Sequence, residues 1–364
     1  MDSPGVRGGV RRRHRRDHHR QRQRQQRRCG AVHRAGHRDG RHRAPHHRRR
    51  RRAGPHRRVR RGRRGAAGGP GVRTGGGRCR RRRGPRPGPR RDEARAPVTD
   101  AVATPGSPGE TDAELAIRLA VEAGRLLVDL RADLFGRGAP PWQVMDNGDL
   151  ASHRFLLEEL RAARPEDAVM SEEGLEDVRR FGTDHCWIVD PLDGTNEFGE
   201  YGRVDWAVHV ALWSHGRLSA GAVSLPALGL VFGTEPAAAV PAVERARPLL
   251  ITSRNRNPYS AVVVARALDC DAVRLGSAGA KAMAVVMGEA DVYVHDGGMY
   301  QWDSAAPVAV ALAAGLHASR LDGSPLVYNE RDPWLPDFVI CRPELADPVL
   351  DALRAHRTQR TSWR

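Results

Sequence analysis

The stretch Trp187-Ile-Val-Asp190-Pro-Leu-Asp193-Gly194-Thr195 is an apolar run that ends in two carboxylates three residues apart. Hard divalent cations such as Mg²⁺ take oxygen ligands and keep several waters, so two carboxylates leaving a strand within one turn suit such an ion. Pro191 restricts the turn, and Leu192 between the acids can offer its backbone carbonyl as a third ligand while its side chain looks away. Gly194 permits a close backbone approach, and the amides of Gly194 and Thr195 can face a phosphate as a helix N-terminus does. Alone, an Asp-Gly-Thr is more often a plain polar turn. Two further segments argue for more: Ser171-Glu172-Glu173 follows another short apolar run, and Trp302-Asp303-Ser-Ala-Ala opens a helical pattern after a strand-like one. Singly, Glu172 reads as an acidic turn and Asp303 as a helix cap. Four such carboxylates from three segments read as one site at the strand ends of an α/β architecture.

The elements that must position these groups begin after a Pro/Gly/Thr/Ser linker over 96–108. Thr111 or Asp112 caps a first helix, with Leu115, Leu119, Leu126, Leu127, Leu130 and Leu134 mostly at helical spacing. A second helix is expected from about Leu150 to Ala163, burying Phe155, Leu156 and Leu160, with Pro165 stopping it. Asp149 then reads as its N-cap. Short β-type runs follow at 168–170, 186–189, 206–213, 218–225, 230–233 and 249–252. Further helices are expected at 259–267, 278–287, 304–314 and 344–355, with strands at 290–295 and 338–341. Strands and helices interleave without the strict alternation of a doubly wound sheet, so a layered α/β sandwich is the expected class.

Charge divides the chain at Val98. Residues 1–98 hold 36 Arg, no Lys and five acids, a balance of +31, while the remaining 266 residues carry −13. The first part lacks Leu, Ile, Phe, Tyr and Trp, so it has almost nothing apolar to bury against the entropy of ordering. We expect residues 1–110 to be a disordered Arg-rich tail and linker, and residues 111–356 to form the one folded domain. With a single Lys (Lys281) beside 60 Arg, the coding sequence reads as GC-rich, and the tail as an inert or untranslated extension. Its only other role is salt-sensitive nucleic-acid binding through phosphates, and no aromatic side chains interleave to stack bases. No stretch reaches the ~18 apolar residues of a membrane helix, and no secretory signal opens the chain. A cytoplasmic protein without membrane contact is expected. Five scattered cysteines without C-x-x-C spacing read as reduced thiols, not a zinc site.

Asp190-Pro-Leu-Asp-Gly-Thr195, the upstream Ser-Glu-Glu and the downstream Trp-Asp-Ser-Ala-Ala resemble the inositol monophosphatase superfamily of Mg²⁺-dependent, lithium-sensitive phosphatases, from about Asp112 to Leu353. Within it, Glu197-Phe198 and Gly276-Ser277-Ala-Gly-Ala-Lys281 are most similar to the CysQ branch, the 3'(2'),5'-bisphosphate nucleotidases of sulfate assimilation. The stretch from Gly315 to Pro325 points to its actinobacterial form. The resemblance implies an α-β-α-β-α sandwich and two or three Mg²⁺ ions held by Glu172, Asp190, Asp193, Asp303 and the Leu192 carbonyl. It also implies that Asp149 and Thr195 orient and deprotonate the attacking water. Gly194, Thr195, Ser277, Lys281 and Asp303 would contact a nucleotide bisphosphate or sugar phosphate, and a homodimer is implied by analogy. One position departs: Asn196 stands where the branch commonly has Lys or Arg. Lys281 either supplies a positive charge to a second phosphate or is a solvated helix lysine. Ser253, Arg254 and Arg256 either contact the nucleotide or are idle loop residues.

The chemistry implied is hydrolysis of the 3'-phosphate of 3'-phosphoadenosine 5'-phosphate, or of its 5'-phosphosulfate, by metal-activated water. Inositol 1-phosphate and fructose 1,6-bisphosphate are the rival substrates. Haloacid dehalogenase-type phosphatases use the first Asp of Asp-x-Asp-Gly-Thr as nucleophile; Pro191 occupies that place here, which disfavours a phospho-aspartate. The reading from another class is an Arg-tail nucleic-acid binder with an inactive phosphatase body.

Overall fold

In the computed structural model the described residues are 109–361 apart from Asn257, with the side chains of 357–361 left aside. The Arg-rich tail and the linker over 96–108 lie outside the described residues. Thr111 begins the fold with a capping box: its side chain accepts from Glu114 N, and Glu114 reaches back to Thr111 N at 2.9 Å. Two orphan amides of the first turn are thereby satisfied. Helix α1 follows at Asp112–Gly136 and α2 at Pro141–Ala163.

Two five-stranded sheets make up the rest. The first holds β1 (Ala168–Ser171), β2 (His185–Asp193), β3 (Ala207–Ser214), β4 (Arg217–Leu225) and β5 (Leu230–Gly233) in that spatial order. β1 and β2 are parallel, and the others antiparallel. The second holds β6 (Leu249–Ser253), β7 (Asp271–Leu275), β8 (Val292–Tyr300), β9 (His317–Ser319) and β10 (Trp334–Cys341) in the order β7-β6-β8-β10-β9. The remaining helices are the short α3 (Thr195–Gly199), α4 (Tyr259–Ala267), α5 (Ala278–Val286), α6 (Gln301–Ala313) and α7 (Ala346–Thr361).

Strand alternation sorts these elements into layers, because successive side chains face opposite sides of a sheet. Trp187, Val189, Val208, Val210 and Leu212 pack outward onto α1 and α2. Cys186, Ile188, Ala207 and Ala211 face inward, onto α5 and α6 and, beyond them, Ile251, Tyr293 and Phe338 of the second sheet. The far face of that sheet, with Leu250, Val292 and Val339, is covered by α4 and α7. The result is the α-β-α-β-α sandwich, with α5 and α6 buried between two sheets and therefore apolar almost all round.

Several boundaries differ from the sequence reading. α2 begins at Pro141 and runs through Asp149, so Asp149 is an internal helical residue and not an N-cap. Pro at the first helical position costs no hydrogen bond. Gly148, now inside the helix, makes a close contact: a Cβ there would lie 2.6 Å from Phe198 Cε1 and 2.9 Å from Leu192 Cδ2. β2 extends to Asp193 through an irregularity in its pairing with β3 between Asp190 and Asp193. β8 continues to Tyr300, and α6 starts at Gln301, three residues before the expected Ser304. β7 and β9 lie at the two edges of the second sheet, where pairing on one side leaves little apolar pattern to read.

Candidate active site

The site forms where β1 and β2 end side by side. Asp190 and Asp193 lie in the last turn of β2, and the turn is fixed from α2, whose Ser152 hydroxyl donates to the Pro191 carbonyl at 2.6 Å. Asp190 Oδ1 accepts from Leu192 N at 3.1 Å. Asp303 comes from the first turn of α6 and accepts from Tyr300 N through Oδ2 at 2.6 Å. It therefore caps its helix with one oxygen while joining the acids with its carboxylate. One oxygen each of Asp190, Asp193 and Asp303 lie within 4.8 Å of one another. Glu172, exposed just beyond β1, is outside that group, but its charge acts on Asp190. The Leu192 carbonyl belongs to the same turn, with its side chain packed away in the outer core.

Burial and like charge work against ionisation here. Burial first, then Glu172, Asp193 and Asp303, push the Asp190 carboxyl well above its usual range. Burial and Asp193 push Asp303 up to about 6. Asp193 goes the other way: burial raises it, but His209, Lys281 and Ser277 together override that and hold it well below the usual carboxylate range. Its Oδ2 accepts from Gly279 N at 2.7 Å and from the Ser277 hydroxyl, and His209 Nε2 lies 3.3 Å away. Asp190 Oδ2 is buried and has no hydrogen-bond partner. A buried carboxylate oxygen without a donor, crowded by further acids, calls for a cation. An all-oxygen donor set suits a hard divalent one. The residues present thus fit a divalent metal.

Beside the acids, Gly194 adopts φ +87°, in the left-handed region, and starts α3. A Cβ there would lie 3.1 Å from both the Asp205 carbonyl oxygen and Ser277 Cβ, so conformation and space both favour glycine. Thr195 follows at the first helical position. Its hydroxyl has two acceptors, Asp149 Oδ1 at 3.2 Å and the Leu192 carbonyl at 3.1 Å. The structure thus brings Asp149 and Thr195 together from segments 46 residues apart.

Lys281 is not a solvated lysine. It is 3% exposed, and its ammonium donates to the Gly276 and Ser277 carbonyls. Burial lowers it to about 8 against the pull of Asp193. Ser277 is the N-cap of α5, accepting from Ala280 N at 2.9 Å while donating to Asp193. Ser277 therefore contacts Asp193 directly, while Lys281 acts on it through charge. Ser253 Oγ accepts from Asn255 N at 3.2 Å, and Arg256 donates to the Gly298 carbonyl at 2.7 Å.

Sequence reasoning missed His209, Ser152 and Gly279. His209 had a signal, being a polar residue on the inward face of β3 between Ala207 and Ala211. It is fully buried, with Nδ1 3.3 Å from the Trp302 carbonyl and Nε2 toward Asp193. A Cβ on Gly279 would lie 2.2 Å from His209 Nε2 and 3.0 Å from Ala207 Cβ. Glycine to alanine inside an exposed helix normally stabilises. Here Gly279→Ala is expected to cost about 1–3 kcal/mol through overpacking, lowering the thermal midpoint by roughly 2–4 °C per kcal/mol in scanning calorimetry.

Five alternating layers with buried carboxylates where two parallel strands end define a class, a layered α/β protein built around an acidic cluster of the kind that holds cations. The chain belongs to the inositol monophosphatase family, whose model matches residues 113–358. Members of that family use divalent metal ions. The chain is 47% identical over 257 residues to the 3'-phosphoadenosine 5'-phosphate phosphatase of Mycobacterium leprae, covering 67% of this chain and 94% of that one. It is 32% identical over 224 residues to the 3'(2'),5'-bisphosphate nucleotidase CysQ of Escherichia coli O157:H7, covering 55% and 89%. The crystal structure of inositol monophosphatase II from Staphylococcus aureus shares the fold, with a TM-score of 0.57 at 21% identity over 66% of this chain and 95% of that one. Among the described residues no helix is long and apolar enough to cross a membrane.

Proposed function

We propose that this chain is a Mg²⁺-dependent phosphate monoester hydrolase of the cytoplasm that removes the 3'-phosphate of 3'-phosphoadenosine 5'-phosphate and of its 5'-phosphosulfate. The observation that carries the reading is the convergence of Asp190, Asp193 and Asp303 within 4.8 Å beside the Thr195–Asp149 hydrogen bond. The mycobacterial relative, at 47% identity, supports the choice of substrate. Residues 111–356 form the catalytic domain in this reading, and residues 1–110 take no part.

Asp190, Asp193, Asp303, Glu172 and the Leu192 carbonyl would hold two or three Mg²⁺ ions. Bound there, the metal supplies a water of lowered pKa and neutralises charge on the phosphoryl and leaving oxygens. The chain's own residues do the rest. With its proton directed to Asp149, the Thr195 hydroxyl turns a lone pair outward to accept from the attacking water. As that water loses its proton, Thr195 receives it and passes its own to Asp149. Ser277 and Lys281 secure the loop that holds Asp193, and the Gly194 and Thr195 amides face the phosphoryl oxygens.

The purified chain, assayed for phosphate release, is expected to turn over 3'-phosphoadenosine 5'-phosphate faster than inositol 1-phosphate or fructose 1,6-bisphosphate. Chelation with EDTA is expected to stop release, Mg²⁺ to restore it and Li⁺ to slow it. Much faster turnover of inositol 1-phosphate would overturn the nucleotidase reading. No Mg²⁺-dependent release from any of the three would overturn the hydrolase reading itself.

A further inference from the structure

Next to Asn196, the residue after Thr195, lies a cleft of about 360 Å³ whose walls include Met145, Asn196, Glu200, Arg254 and Asn255. Its arginine is held on two sides. From behind, Arg254 Nε donates to Glu197 Oε1 at 2.7 Å, and Asn255 Nδ2 donates to the same oxygen at 3.1 Å. Glu197 is buried, and Gly276 makes room for it: a Cβ there would lie 2.2 Å from Glu197 Cδ. That edge of the guanidinium is fixed by the fold. From the front, both terminal nitrogens pair with the two carboxylate oxygens of Glu200, a side chain that is half exposed.

A pair of parallel N–H donors fits phosphate as well as carboxylate. The buried contact with Glu197 is costly to break, because it would strand a charge away from water. The exposed contact with Glu200 is weak and exchangeable. The displaced carboxylate also has a neighbour to receive it: Arg203 Nε lies 4.0 Å from Glu200 Oε2. Arg203 is itself anchored to Asp205, which accepts from Gly276 N at 2.7 Å, so this second cation is held in place by the same loop.

We propose that Glu200 is a specificity-determining residue: it occupies the outward fork of Arg254 and yields it to the second phosphate of the substrate, the one that is not hydrolysed. This rests on the nucleoside bisphosphate reading given above. A substrate without a second phosphate gains nothing from displacing the carboxylate, so Arg254 tilts the cleft toward doubly phosphorylated ligands, and Glu200, competing for the same fork, limits the strength of that preference.

Calorimetry on the full chain with Mg²⁺ tests it, using adenosine 5'-phosphate, which carries only the phosphate in question, and adenosine as the uncharged control. Glu200→Gln, a change at a half-exposed position, is expected to bind adenosine 5'-phosphate about three- to fivefold more tightly. Arg254→Lys, which keeps charge but loses the fork, is expected to bind it about tenfold more weakly. The ratio of kcat/KM for 3'-phosphoadenosine 5'-phosphate over adenosine 3'-phosphate is expected to rise in Glu200→Gln by the same factor. Unchanged or weaker binding of adenosine 5'-phosphate by Glu200→Gln would overturn the proposal, as would an equal gain for adenosine. Failure of the hydrolase reading would appear separately, as a parent chain that releases no phosphate while its affinity for adenosine 5'-phosphate still reports on Arg254 and Glu200.

Discussion

Asp193→Asn is expected to abolish turnover while leaving the fold standing. The Asp193 carboxylate divides its work. One oxygen is taken by Gly279 N and the Ser277 hydroxyl, with His209 close by, and this ties the end of β2 to the start of α5. An oxygen of the same carboxylate lies within 4.8 Å of oxygens of Asp190 and Asp303. An asparagine carbonyl can still accept from Gly279 N and Ser277, so the tie survives. The amide nevertheless replaces a carboxylate that would hold a cation, and a unit of negative charge is lost. If the bound metal supplies about 4 kcal/mol of charge stabilisation in the transition state, turnover falls roughly a thousandfold. Removing one of several mutually repelling acids relieves Asp190 and Asp303, which offsets the lost attraction to His209 and Lys281. The metal-free thermal midpoint is therefore expected within about 4 °C of the parent, equivalent to ~1 kcal/mol, while the midpoint rise on adding Mg²⁺ disappears. Steady-state phosphate release and scanning calorimetry with and without Mg²⁺ check both halves.

The second large effect is expected at Thr195. Removing its hydroxyl breaks the route from attacking water to Asp149 but leaves the acids untouched, so Thr195→Ala is expected to lower kcat by about a hundredfold or more, the range of a lost general base. KM is expected to change by less than about twofold, because the hydroxyl acts on water and not on the phosphoryl group. Thr195→Ser keeps the hydroxyl and is expected to recover most of the rate. Equal rates for parent and Thr195→Ala would remove Thr195 from the mechanism. A matched rise in KM would make it a binding group.

What could be read from the sequence was whatever is local. The Thr111 cap, the apolar stripe of α1 and the β2 run into Asp190 and Asp193 announce themselves by spacing, since capping and burial act over a few residues. The juxtaposition of Asp149 with Thr195 was reached through family resemblance, because no local pattern links a residue in mid-helix to one on another turn. The start of α2 at Pro141 is hidden for the same reason: Gly148 lies inside the helix where Phe198 and Leu192 leave no room for a Cβ, a packing fact that no local pattern carries. Lys281 shows the limit most clearly. A lone lysine on an apolar helix reads as solvent-facing or ligand-facing, yet its ammonium turns back onto the carbonyls of Gly276 and Ser277. His209 carried a readable oddity, a histidine among inward-facing alanines, but its meaning depends on Asp193 and Trp302, which the chain brings to it from both directions.

The claim on which the rest depends is that the buried acids share divalent cations. Crystals of the chain grown with Mn²⁺ in place of Mg²⁺, measured for anomalous scattering, test it directly. The account predicts anomalous peaks among the carboxylates of Asp190, Asp193 and Asp303, with Glu172 turned to the same ions, and the loss of these peaks in Asp193→Asn. A well-ordered crystal at saturating Mn²⁺ with no peak among those acids, or with manganese bound only elsewhere, would contradict it.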